Sequence, residues 1–204
     1  SKYMAVADAV KDNGGIAVLW QLSFNGFAEA DLQSDFDIFF CYSKFDHEID
    51  IASHSNNKYT IITGYQRDYA QSLVRKQALA LRNQLLDHGA KKIVFVMDEM
   101  SVDDSRWHTG HILQRENYSY ILEKVLEIPW LGVVFKPKSA KSLRLRLGGV
   151  NEFLEKAEKT GRCYVYETTG RHTTLASPVL AGLSADICVS GHLGGGTAPL
   201  ECAI

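Results

Sequence analysis

Ile93-Val94-Phe95-Val96-Met97 is an unbroken apolar run of the kind found in a strand covered on both faces. Beyond it, Tyr118, Ile121, Leu122, Val125 and Leu126 fall at i, i+3, i+4, i+7 and i+8, the apolar stripe of an amphipathic helix. Gly132-Val133-Val134-Phe135-Lys136 is then a second strand-like run. The pattern repeats downstream. Val150, Phe153, Leu154 and Ala157 keep helical spacing up to Gly161, Cys163–Glu167 (CYVYE) reads as a strand, and a short helix around Pro178–Leu183 precedes the strand Ile187–Ser190. Strands joined by helical crossovers pair in parallel, so the reading from Lys91 onward predicts an α/β fold: a Rossmann-like parallel sheet with helices on both faces. Ligands of such sheets sit beyond the C-terminal strand ends. The rim would therefore consist of the loops Asp98–Gly110, Pro137–Leu147, Thr168–Ser177 and Gly191–Thr197.

Upstream, Ile16–Gln21, Phe36–Ser43 and Lys58–Gly64 are short β-branched or aromatic runs bounded by turn residues. From Asp68 to about His88 the chain is polar with spaced apolar positions, Tyr69, Leu73, Leu81 and Leu85, which predicts a long helix. Asp68 suits its cap and Gly89 its stop. A boundary near Gly89 is expected, with residues 1–89 the later part of one α/β domain and 90–204 a second, nucleotide-binding one.

The chain has 204 residues, 46% hydrophobic and 23% charged, enough for one fair-sized core or two small ones. A net charge of −2 gives no electrostatic case for a nucleic-acid partner. The local basic cluster, Lys136-Pro137-Lys138 with Lys141, Arg144 and Arg146, suits a solvated loop; a diphosphate or anionic-lipid contact is the other reading. Cys41, Cys163, Cys188 and Cys202 form no CxxC pair, and the first three lie in apolar runs where cysteine acts as a small hydrophobe. That points to a reducing compartment and away from zinc. His108 and His111 stand at i, i+3 with no third ligand in view, so no metal is expected. No run approaches the roughly 18–20 apolar residues of a membrane span. No signal peptide is visible either, and a cytoplasmic location is the expectation.

Ser184-Ala185-Asp186-Ile187-Cys188-Val189-Ser190-Gly191-His192-Leu193-Gly194-Gly195-Gly196-Thr197-Ala198-Pro199-Leu200-Glu201 carries the densest chemistry. A strand ending at Ser190 runs into a glycine-rich loop and then a helix, with Pro199 in the first turn. Amides of Gly194, Gly195 and Gly196 with the Thr197 hydroxyl could hold a diphosphate, and Glu201 could accept from ribose hydroxyls. A plain glycine turn followed by an acid near a helix start gives the same pattern. No Walker lysine follows, and the order is not GxGxxG. Lys136, at a strand end, and Arg106, in the Asp98–Gly110 loop, are candidate phosphate contacts. His192, inside the glycine loop, is the candidate general acid or base.

Together these residues resemble two-Rossmann-domain (GT-B type) glycosyltransferases, and more narrowly the bacterial surface-polysaccharide and CDP-glycerol glycerophosphotransferase-like members. Gly64-Tyr65-Gln66-Arg67-Asp68 is similar to their G-x-P-R-x-D element, Phe135-Lys136-Pro137-Lys138-Ser139 to their K-x-H-P strand end, and Ala185-Asp186 with Gly195-Gly196-Thr197 and Glu201 to A-D followed by G-G-T-x-x-x-E. Lys138 and Ser139 stand where histidine and proline are common. The resemblance implies a fragment of a transferase: the end of an acceptor domain and most of a donor domain. It implies a nucleotide-sugar or CDP-polyol donor held at 191–197, no other cofactor, and a glycan or lipid-linked acceptor. Peripheral association with the inner face of a membrane would accompany it, and a homodimer covering an open sheet flank is a further expectation. A sugar-nucleotide 2-epimerase using Asp98 and Glu99, and a non-catalytic nucleotide- or glycan-binding fragment, are the alternatives on the same fold.

Overall fold

A computed structural model of the chain describes residues 2–23, 26–66, 69–98, 101–103, 110–166, 178–190 and 196–203. It contains two parallel sheets flanked by helices, an α/β fold of Rossmann-like type. The chain forms two compact units, Ser1–Asp68 with Gly194–Leu200, and Tyr69–Leu193 with Glu201–Ile204.

In the first unit, β1 (Val18–Trp20), β2 (Ile38–Cys41) and β3 (Tyr59–Ile62) pair in parallel in chain order, with Leu19 opposite Phe39 and Phe40 opposite Ile61. This unit also contains α1 (Lys2–Asp12), whose Met4, Ala7 and Val10 pack with Ala17 and Phe36, and α2 (Lys44–Ala52). In α2 the buried positions are Asp46, Ile49 and Asp50, so charge hides the inward face. Its start is a reciprocal cap. Ser43 Oγ accepts from the Asp46 amide at 3.3 Å and donates to Asp46 Oδ2 at 2.5 Å. Ser43→Ala is expected to cost this unit about 1 kcal/mol, read as a lowered urea midpoint.

The second unit begins with α3 (Ala70–Asp87) and β4 (Lys92–Asp98), followed by α4 (His111–Glu127) and β5 (Leu131–Pro137). Next come α5 (Ala140–Leu147), α6 (Asn151–Lys159), β6 (Cys163–Val165), α7 (Pro178–Ser184) and β7 (Ile187–Ser190); α8 (Thr197–Ala203) is divided, its residues up to Leu200 in the first unit and those from Glu201 in the second. The long helix expected from Asp68 to His88 is α3; its proposed cap, Asp68, lies outside the described residues. α3 packs against α7, within this unit.

All strand pairs of the second sheet are parallel, in the order β6-β5-β4-β7. On one face, Val96, Val133, Phe135 and Cys163 pack with Tyr118, Leu122 and Val125 of α4, Leu143 and Leu147 of α5, and Leu154 and Ala157 of α6. On the other face α7 lies across β4 and β5. The edge strand β7 is held at its start by Asp186. This carboxylate accepts from the Ile93 amide at 2.8 Å and from Arg82 of α3 at 2.9 Å, with Lys92 at 3.5 Å.

Residues 137–147, expected as a rim loop, instead contain α5. Leu143, Arg146 and Leu147, at i, i+3 and i+4, all face inward, and the flanking lysines and arginines mask that stripe. Among the described residues no helix is long and apolar enough to cross a membrane.

Candidate functional site

The strand order of the second sheet reverses between β4 and β7. β5 and β6 are added on one side of β4, and β7 on the other. At such a reversal the connections leave in opposite directions and open a crevice beyond the strand ends, where α/β proteins bind ligands. Met97, in the last turn of the pleat before Asp98, is paired with Lys136 of β5 and with Ser190 of β7. The three residues therefore share one row and one face of the sheet, with the outer two roughly 10 Å apart at two strand spacings.

Lys136 is half-buried, and its ammonium donates a long 3.5 Å bond to the Pro137 carbonyl. Burial lowers its pKa below the ordinary lysine value, while the charges of Glu201 and Asp98 pull it back up. Glu201, in α8, is only 5% exposed. A partly desolvated cation beside a buried carboxylate is thus assembled near the end of β5. Thr197 opens α8 and Gly196 precedes it; both are half-exposed and fall in the first unit. Gly194, Gly195, His192 and Arg106 lie outside the described residues, as does Glu99. Asp186, of the A-D segment, belongs to the opposite end of the sheet, tied to Arg82, Lys92 and the Ile93 amide.

A second constellation, not evident in the sequence, closes the end of β4 on the α4 and α5 side. Arg146, read there as part of a solvated cluster, is 4% exposed. Its guanidinium donates to Asp98 Oδ2 at 3.3 Å, to Gln114 Oε1 at 2.6 Å and to the Ser139 carbonyl at 3.3 Å. Gln114 Nε2 donates to Asp98 Oδ1. Burial pushes the Asp98 carboxyl above its ordinary value, and Arg146 and Gln114 offset part of that shift. Tyr118, beneath them, is pushed well above the ordinary phenol value by burial and then by the Asp98 charge.

Ser101 extends this network toward the surface. Its hydroxyl donates to Gln114 Oε1 at 2.5 Å and lies 2.6 Å from His111 Nδ1. A serine hydroxyl has one proton. It cannot be given to both, so His111 Nδ1 accepts it or donates to the oxygen according to the ring's tautomer. His111 was weighed in the sequence only as half of a metal pair with His108. Among the described residues no group of histidines, cysteines and acids is arranged to hold a metal. The signal for the network was weak because its partners lie far apart: Arg146 meets Gln114 and Asp98 across separations of 32 and 48 residues.

The first unit has a concavity of its own, about 250 Å³, lined on its apolar side by Leu19, Trp20, Phe36 and Phe39. Gln21, Asp46 and Asp50 also line it, and Gln21 donates to Asp46 at 2.5 Å.

Comparison with known proteins finds no family model, no curated protein and no solved structure that matches this sequence.

Proposed function

We propose that the second unit binds a nucleotide-activated donor in the crevice between β4 and β7, as the donor half of a nucleotide-sugar or CDP-polyol dependent transferase of cell-surface polysaccharide synthesis. The observation that carries this reading is the reversal of strand order at β4, with Lys136 and Ser190 flanking it in one row. A nucleotide diphosphate would give the half-buried Lys136 ammonium a direct charge-assisted contact. In such a reaction the protein mainly positions the donor and stabilises charge on the departing nucleotide, so a cation at a strand end is the relevant group. Glu201, next to Lys136 electrostatically, would orient that ammonium or accept from a ribose hydroxyl. The epimerase alternative is less well supported. It needs Asp98 to face a sugar ring, and Asp98 is buried against Arg146 and Gln114.

Calorimetric titration with CDP, UDP and GDP tests the proposal. Binding of at least one nucleotide is expected, weakened about 10- to 100-fold by Lys136→Met through loss of a charge-assisted contact of roughly 1.5–3 kcal/mol. Glu201→Ala is expected to weaken it as well. The reading fails if no nucleotide binds the wild-type protein, or if both variants bind as tightly as it does.

A further inference from the structure

Cys188 and Cys202 meet over a glycine. Cys188 sits in the edge strand β7 and is exposed; Cys202 sits in α8 and is partly buried. Both sulfurs converge on Gly182 of α7. A methyl group placed on Gly182 of α7 would lie 2.7 Å from Cys202 Sγ and 3.6 Å from Cys188 Sγ. The first distance is shorter than real side chains tolerate, so the absence of a side chain at 182 is what admits the sulfur. Cys202 Sγ also lies 3.7 Å from the Pro178 carbonyl, which fixes it against the first turn of α7.

We propose that Cys188 and Cys202 are a redox-active dithiol that closes to an intramolecular disulfide by exchange with a low-molecular-weight disulfide such as oxidised glutathione. The division of labour follows from the surroundings. The neighbouring Cys202 thiol favours the thiolate of Cys188, lowering its pKa from the ordinary 9.0 to about 7, whereas that of Cys202 is raised. Cys188, exposed and more readily ionised, is the attacking sulfur. Its thiolate displaces one glutathione thiolate from oxidised glutathione, giving a mixed disulfide. Cys202 then loses its proton, attacks the Cys188 sulfur and displaces the second glutathione. The protein dithiol is oxidised by two electrons, the glutathione disulfide is reduced by two, and the protons of the protein thiols end on the two released glutathiones. Cys41 and Cys163 serve as internal controls. Both are buried, and burial pushes both thiols up.

Closure would tie the segment from Glu201 to Cys202 to the edge strand of the same unit. The chemistry of the pair is independent of what the crevice binds, so its test is a mass measurement rather than a nucleotide titration. The protein is equilibrated with graded ratios of oxidised to reduced glutathione, quenched with N-ethylmaleimide and weighed intact. At oxidising ratios the wild type is expected to lose two maleimide labels and carry no glutathione, with peptide mapping joining Cys188 to Cys202. Cys202→Ser is expected to stop at a glutathione adduct on Cys188, and Cys188→Ser to do neither. In Cys202→Ala, which removes the neighbouring thiol, the pH midpoint for alkylation of Cys188 is expected to move from about 7 toward 9. The proposal is overturned if the wild type keeps both labels under oxidising exchange, or if it accumulates the Cys188 adduct without closing.

Discussion

Arg146→Met is expected to destabilise the second unit by about 3–5 kcal/mol at neutral pH, because it strands the buried Asp98 carboxylate. The side chains of Arg146 and Asp98 are 4% and 2% exposed, so solvent screening gives little relief. Methionine retains most of the aliphatic volume but none of the donors that serve Asp98, Gln114 and Ser101. The effect carries a pH signature. Burial already raises the folded-state pKa of Asp98 above its unfolded value. For a carboxyl shifted upward, the folded state holds its proton longer than the unfolded chain does. Ionising Asp98 therefore costs stability progressively as pH rises from the ordinary carboxylate value through the raised one. Removing Arg146 raises the folded value further. The deficit of the variant should be smallest in acid, where Asp98 is protonated in both proteins, and largest above the raised pKa. Denaturant melts across this pH range test it, and a flat deficit would contradict the assignment. Arg146→Met combined with Asp98→Asn should recover a large part of the loss, since a neutral amide needs no counter-ion.

Phe135→Ala is the second large effect, expected to cost about 3–5 kcal/mol from lost burial and the cavity left behind. Phe135 is fully buried at the centre of β5, where α4, α5 and α6 converge on the sheet. Its ring stacks on Tyr118, with centroids 4.5 Å apart and planes 14° from parallel. That contact adds roughly 0.5–1.5 kcal/mol beyond area alone. Tyr118 lies below the Asp98 network, so the vacancy also loosens the floor under Arg146. Denaturant unfolding should show the loss, and Phe135→Leu, which refills most of the space, should recover more than half of it.

The parallel sheet of the second unit could be read from the chain because its central strands are covered on both faces. Residues 93–97 and 132–135 include no polar side chain, and the stripe from Tyr118 to Leu126 lies between them. The α/β class follows from that alternation. Helices whose inward faces carry charge were harder to see. Asp46 and Asp50 in α2, and Arg146 in α5, are buried polar groups satisfied by partners distant in sequence, and spacing rules count them as solvent-facing. The candidate site divides in the same way. Lys136 and Ser190 are strand-end residues, and placing the strands places them. The Arg146, Gln114 and Ser101 network depends on which helices cover which face, which no local pattern encodes. Cys188 shows the converse case. An apolar run suggested a sheltered side chain, yet β7 is an edge strand and leaves it accessible.

Asp186 fastens the beginnings of β4 and β7 to α3, far from the row that holds Lys136 and Ser190. Rigidity is thereby concentrated at one pole of the sheet. Amide hydrogens around Ile93 should exchange slowest, and adaptation to any bound molecule would occur by splaying at the opposite pole, like a fan pinned at its rivet.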